Sequence, residues 1–309
     1  MCIPTSAFFV GGFSNFHPMS NSDTRRIALK KIALGTLGMG AMVPSACSET
    51  RGAPALKGNI NHSACRWCYE SIPMEEFCRA AASIGLKGID LVGPKDWPTL
   101  KRHGLHSSMC NGAEINLEDG WNDGSFHATL VENYTRMIPL VAEAGYTNLI
   151  CFSGSRRGKD EETGLKNCAE GLKRIMTLAE RNKVVVVMEL LNSKVDHKDY
   201  QCDRTAWGVE LVKRVGSPNF KLLYDIYHMQ IDEGDVIRTI RDNSEHIAHY
   251  HTGGVPGRNE IDETQELNYP AIMRAIVETG FKGFVAQEFI PSAKDGLASL
   301  RRAISICDV

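Results

Sequence analysis

The 309-residue chain has no Lys/Arg-rich block, no excess of charge of either sign, and no apolar run of the length a membrane-spanning helix needs. With 35 Lys and Arg against 37 Asp and Glu, the formal net charge is -2. That balance gives no reason to expect nucleic acid or an anionic membrane as the main partner, and it points to a small molecule. No glycine-rich phosphate loop follows the first strand-like run, which argues against a dinucleotide-binding half. The pair in Cys65-Arg66-Trp67-Cys68 has no second CxxC to complete a zinc site and no thioredoxin-like context for redox work.

What is there begins with a segment of different composition. Thr24-Arg25-Arg26-Ile27-Ala28-Leu29-Lys30 resembles the twin-arginine export motif, and the glycine-rich apolar run Ile32 to Val43 is too short to span a bilayer comfortably. The small-residue site Pro44-Ser45-Ala46-Cys47 follows, so residues 1–46 are expected to be an N-terminal extension and signal, removed on export to the periplasm. An unremoved helix or anchor is the alternative. Met19 lies at a conventional distance before the arginines, so a start at Met1 or at Met19 fits. Cys47 is a candidate for lipidation, but Pro44 stands where a lipobox has an aliphatic residue, which favours simple cleavage. Arg25, Arg26, Lys30 and Lys31 against Asp23 give this segment +3 and leave the remainder at -5, suited to a soluble acidic domain. Eight cysteines follow Cys47, and an exported context permits disulfides.

Beyond the leader, short apolar runs alternate with longer periodic segments. The strands expected are Gly58–Asn61, Gly88–Val92, His106–Cys110, Asn148–Phe152, Val184–Glu189, Lys221–Ile226, His246–His251 and Gly283–Glu288. Helices are expected between and after them at Pro73–Ser83, Asp96–His103, His127–Ala144, Gly164–Arg181, Thr205–Val215, Val236–Asp242, Tyr269–Thr279 and Lys294–Ile304. Pro73 suits a first helical turn, with Ser71 or Ile72 at the cap. Gly145 and Gly280 sit where left-handed C-caps are required. Runs such as Val184 to Val187 are apolar on both faces, as for strands buried between a barrel interior and an outer helical layer. The fold class is therefore α/β, a single (β/α)8 TIM barrel over 58–309, where about 250 residues is ordinary for one such unit.

In that architecture the active site lies at the strand C-termini. Glu189, Asp225, His251 and Glu288 end the fifth to eighth strands. A lone acid at a strand end is more often a cap or an ion-pair partner; recurrence at four consecutive ends instead implies convergence on one metal. Three carboxylates and one imidazole suit a divalent cation, Mn or Mg in preference to Zn or Co. His228, three residues after Asp225, is in reach of the same mouth, with a satisfied core histidine as its bland alternative. Arg258 follows the Gly253-Gly254 and Pro256-Gly257 turns, from which a guanidinium would reach a carboxylate or hydroxyl, or simply stay solvated. Glu260 would orient Arg258; His62 and Trp67 would line the pocket. The polar loop Asn192–Lys198 would close over substrate, and Asn111 with Gly112 offers a further polar contact.

The segments Leu222–His228, Ala248–Gly253, Val255–Glu260, Glu266–Pro270 and Ala286–Phe289 carry a resemblance. In order and spacing they resemble the hydroxypyruvate isomerase branch of the xylose isomerase-like barrels, relatives of the ketose 3-epimerases. The likeness is looser from Gly58 through the first half. It implies that Glu189 and Glu288 bind metal and exchange protons with substrate, that Asp225 and His251 are the other metal ligands, and that His228 and Arg258 hold substrate oxygens. One position departs: hydroxypyruvate isomerases often have glutamine where His251 stands, and histidine is the pattern of metal-dependent epimerases.

The reading is an exported metal-dependent isomerase of a small hydroxy-carbonyl compound, hydroxypyruvate to tartronate semialdehyde in type, in a chain that allows homo-oligomers. A keto-sugar epimerase or isomerase outside the cytoplasm is the second reading, and a non-catalytic periplasmic sugar-binding barrel the third. If the leader works as read, changing Arg25 and Arg26 together to lysine leaves the precursor in the cytoplasm. Fractionation that finds the double variant in the periplasm at the parent yield would rule out this route.

Overall fold

The computed structural model describes residues 55–309, so the arginine pair, the cleavage site and Cys47 lie outside the described residues. Within them the apolar runs pair side by side in chain order: β1 (Asn61–Cys65), β2 (Gly88–Val92), β3 (His106–Cys110), β4 (Asn148–Cys151), β5 (Val185–Glu189), β6 (Phe220–Asp225), β7 (Ile247–Thr252) and β8 (Phe284–Gln287). All pairings are parallel, and β8 returns to β1 from Asn61↔Phe284 to Ala64↔Gln287, closing the barrel. The helices are α1 (Met74–Ile84), α2 (Trp97–Arg102), α3 (His127–Glu143), α4 (Glu161–Asn182), α5 (Thr205–Val215), α6 (Ile226–Asp232), α7 (Val236–Asn243), α8 (Tyr269–Glu278) and α9 (Gly296–Cys307).

Three expectations need correction. The first strand is Asn61–Cys65, not Gly58–Asn61: its residues are small and polar, giving no apolar run, yet they are buried against their neighbours. Pro73 itself occupies the N-cap of α1, ahead of Met74, and Glu75 and Glu76 in the first turn face the helix's positive end. Ile226 leaves the sixth strand to open α6, because the Asp225 carboxylate accepts from the His228 backbone N–H and turns the chain directly into a helix. Gly145 and Gly280 have φ of +81° and +80°, the left-handed geometry expected after a helix.

Strand parity aims the polar ends. Met109, Ile150, Val187 and Leu223 form a small cluster inside the barrel, whereas Val186, Met188, Leu222 and Tyr224 belong to the outer core against the helices. Successive side chains on a strand alternate faces, so an inward Val187 puts Glu189 inward at the rim, and an inward Leu223 does the same for Asp225. On β7 the register jumps from Leu222↔Ile247 to Leu223↔His249, and this bulge passes over Ala248. All eight cysteines in the described residues are free. At the opposite end of the barrel the segment before β1 is tied to the residues after α9: Lys57 N donates to Asp308 Oδ1 at 3.0 Å and Asn59 Nδ2 to the Val309 carbonyl at 2.8 Å.

The segment from β3 to α3 forms one wall of the mouth and is locked against the chain after β4. Trp121 N and Asn122 N donate to the Phe152 and Ser153 carbonyls. A Cβ on Gly120 would stand 2.4 Å from Gly154 N and 2.4 Å from Ser153 C, both backbone atoms that cannot step aside. Gly120→Ala should therefore destabilise the fold by about 1–3 kcal/mol, the range for overpacking. A denaturation midpoint equal to the parent's would show that this wall is not clamped.

Candidate active site

The four strand-end residues meet. His251 Nδ1 lies 2.8 Å from Glu288 Oε2, 3.2 Å from Glu189 Oε1 and 3.9 Å from Asp225 Oδ2. One potential ligand atom from each of the four falls within 4.8 Å of all the others, and all four residues are buried. Asp225 Oδ2 has no hydrogen-bond partner. A buried carboxylate oxygen left unpaired, its nearest nitrogens 3.5 to 3.9 Å away on Arg258, His228 and His251, is costly, and a cation relieves it. This donor set fits a hard divalent ion.

Asp90, in the middle of β2, is a member of the site that the sequence reading passed over. Its Oδ1 lies 3.1 Å from His251 Nε2, its Oδ2 lies 2.7 Å from His249 Nε2, and Ser108 Oγ donates to Oδ2 at 2.9 Å. Burial opposes its charge, but the two imidazoles outweigh burial and hold the carboxyl below the usual range. His251 thus has acceptors on both ring nitrogens. Burial disfavours its imidazolium, yet Glu288 and Asp90 overcome that and raise its pKa well above the ordinary value. A cation would replace the Nδ1 proton while Asp90 kept Nε2–H, the usual support of a ligating histidine. The available signal was an acid inside an otherwise apolar strand run.

Arg258 is brought to the site at φ +58°, its side chain 15% exposed. Its Nη2 lies 2.5 Å from Glu288 Oε2 and 3.5 Å from Asp225 Oδ2. The guanidinium also sits over the rings of Trp67 and Tyr227, at 5.2 and 5.4 Å. Trp67 Nε1 donates to Glu288 Oε1 at 2.8 Å. His228 is fully buried, with Nε2 3.7 Å from Asp225 Oδ2.

Two expectations fail here. Glu260 does not orient Arg258; it accepts from Ser292, Ala293 and Ser299, pinning the chain after β8. His62 does not line the mouth, because it is the second residue of β1, at the far end, 3.8 Å from Asp308. Trp67, Asn111 and His197 do line it.

The acids are electrostatically unlike. Burial and then the Glu288 charge push Glu189 up, and the same two causes push Asp225 further. Glu288 goes the other way: burial opposes its charge, but Arg258 and His251 prevail and hold it well below the usual carboxylate range. Two acids with opposed shifts across one space are a pattern for proton donor and acceptor. Glu189 and Glu288 line a cavity of about 420 Å³ together with the apolar Leu91, Ile115, Ile150, Phe152 and Leu191 and the polar Asn111, Glu114 and Asn116. A larger cavity of about 640 Å³, between Leu56, Ile84 and Arg302, has none of these groups.

Fold and site together define a parallel barrel with a polar centre at its C-terminal mouth. Residues 78–303 match the family described as xylose isomerase-like TIM barrel, and the chain belongs to that family. It is 31% identical over 134 residues to a human protein named putative hydroxypyruvate isomerase, a match that covers 43% of this chain and about half, 48%, of the human one. It is 24% identical over 242 residues to a 2-oxo-tetronate isomerase of Pectobacterium atrosepticum, covering 74% of this chain and 92% of that one. A Brucella melitensis crystal structure described as an AP endonuclease of family 2 is similar at a TM-score of 0.70 and 25% identity, over 78% of this chain and 97% of that one.

If the four side chains share a cation, Asp225→Ala and His251→Ala each lose most bound Mn²⁺ with the barrel still folded, since strand ends contribute little to its core. Metal analysis beside circular dichroism checks this. Full occupancy in both variants would sink the assignment.

Proposed function

We propose that this chain is a metal-dependent isomerase of a small α-hydroxy carbonyl compound, of the hydroxypyruvate isomerase type. The observation that carries this reading is the pair Glu189 and Glu288, which converge from the ends of β5 and β8 on the same His251 nitrogen and line one cavity. A divalent cation held by Glu189, Asp225, His251 and Glu288 would polarise the substrate oxygens and stabilise the negative charge that develops on them.

The chain's own part is proton traffic and positioning. One carboxylate takes the proton from the hydroxyl-bearing carbon, and the C–H electron pair forms the C=C bond of an enediolate as the carbonyl π pair moves onto its oxygen. A proton then returns to the former carbonyl carbon, and the proton of the original hydroxyl passes to the former carbonyl oxygen as the new carbonyl forms. Which of Glu189 and Glu288 acts first depends on the substrate face presented. Arg258 and His228 hold substrate oxygens on the Asp225 side. The apolar wall from Leu91 to Leu191 excludes water, which strengthens every charge interaction in the mouth. The Arg25-Arg26 leader supports placing this reaction outside the cytoplasm.

A second reading, epimerisation or isomerisation of an uncharged keto-sugar, is favoured by two features. His251 stands where hydroxypyruvate isomerases often have glutamine, and Arg258, the one cationic side chain among the cavity's lining, is already paired with Glu288. A sugar-binding barrel without catalysis would not require both Glu189 and Glu288.

Deuterium incorporation from solvent, followed for hydroxypyruvate and for ketoses with Mn²⁺ present, separates these readings. In whichever substrate exchanges, Glu288→Gln and Glu189→Gln should each lower the rate by about 10²-fold or more, the scale of general acid–base catalysis. The double variant should be little worse than either single one, since members of one relay are not additive. Exchange at the parent rate in both single variants would leave the two-carboxylate mechanism without support.

A further inference from the structure

The loop after β5 holds a side chain whose hydrogen bonds decide which nitrogen of His228 carries its proton. Asn192 Oδ1 accepts from Val195 N at 3.0 Å and from Asp196 N at 2.9 Å. Two backbone donors on that atom identify it as the carbonyl oxygen, so the other terminal atom is the amide nitrogen. That nitrogen donates to Asp196 Oδ2 at 2.6 Å and faces His228 Nδ1 at 2.6 Å. The reversed amide would set an NH₂ against two N–H donors and an oxygen against a carboxylate, so these three contacts reject it independently of His228.

A ring nitrogen that faces an N–H donor must present a lone pair. We propose that Asn192 is a positioning residue that makes His228 Nδ1 an acceptor and so fixes its proton on Nε2, on the side of Asp225, as a donor to a substrate oxygen. The alternative, an Nδ1 proton directed at Asp196, has to span 3.9 Å, beyond hydrogen-bond range. Asp196 is otherwise engaged, since Tyr227 Oη donates to the same oxygen at 2.8 Å.

The other face of the ring shows what the fixed proton is for. His228 Nε2 is buried and has no hydrogen-bond partner, and neither has Asp225 Oδ2, 3.7 Å away. A buried donor and a buried acceptor, each unpaired and just too far apart to satisfy one another, would both be satisfied by a third polar atom. With the Nε2–H form held in advance, that atom meets a donor and not a second lone pair. Preorganised donors of this kind need no rearrangement at the moment of reaction. The use of the donor rests on the isomerase reading above; the tautomer does not.

The test is nitrogen NMR of the full chain, metal-free, with ¹⁵N-labelled histidine, the His228 signals being assigned by their loss in His228→Gln. A protonated and a bare imidazole nitrogen resonate far apart, so the spectrum reports the tautomer with no substrate and no turnover. The parent should show Nδ1 bare and Nε2 protonated. The paired exchange N192D with D196N keeps the two backbone contacts and the net charge but presents only an acceptor to the ring, and in it Nδ1 should become a protonated nitrogen. A purely structural Asn192, serving only to close the loop, predicts no such change. A protonated Nδ1 in the parent, or a bare Nδ1 in the exchanged variant, overturns the proposal, and the parent spectrum decides even if the variant fails to fold. The spectrum can succeed while the deuterium exchange fails, which would remove the isomerase reading and leave the tautomer lock standing.

Discussion

Three carboxylates forced into one water-poor space repel one another, and the mouth of this barrel is organised around that repulsion. Two unit charges about 4 Å apart interact by roughly 4 kcal/mol at the effective dielectric of a protein interior near its surface. Without answering groups, Glu189, Asp225 and Glu288 would take up protons to relieve that repulsion, as the upward shifts of Glu189 and Asp225 show. His251 answers from below, Arg258 from above and Trp67 from the side. Burying apolar strands places acids at their ends; the surrounding donors make those ends tolerable.

The answer is layered. Asp90 supports His251 from within β2, and Ser108 supports Asp90, itself 2.5 Å from Ser63 Oγ. Arg258 is held by its backbone as much as by its charge: its N–H donates to the Gly254 carbonyl, and its own carbonyl accepts from Ile290 N at 2.7 Å. Glu260, fastened to Ser292 and Ser299, keeps that loop beside the chain that follows β8. The guanidinium therefore stands beside Glu288 because two successive rim segments are stitched together. It is not a tip swinging freely from a glycine-rich turn.

Most of the barrel was legible because burial writes a period into the chain. The valines from Val184 to Val187 mark β5, and with parity they aim Glu189 inward, so four of the five polar groups around the centre could be found from strand ends alone. Asp90 was missed because it lies mid-strand and its partners, His249 and His251, are on the far side of the sequence. The first strand was displaced because Ser63 and Ala64 are small, and small residues pack a narrow interior without leaving a hydrophobic signature. Asn192 reads as an ordinary loop residue, since its meaning resides in which atoms surround each end of one amide. Glu260 misled for the same reason, as sequence proximity to Arg258 carries no information on direction.

The stitching of the barrel's first residues to its last has a consequence for how the barrel is wired. Lys57 and Asn59 meet Asp308 and Val309 at the floor, on the side away from the acids. The order in which the eight β/α units are threaded is thus a matter of where the ring happens to be cut. A short bridge across the floor and a new opening in an exposed loop elsewhere would rethread the polypeptide while keeping every strand beside its present neighbours. By the same geometry, a label or a second domain attached at the C-terminus hangs beneath the floor, clear of the substrate entrance.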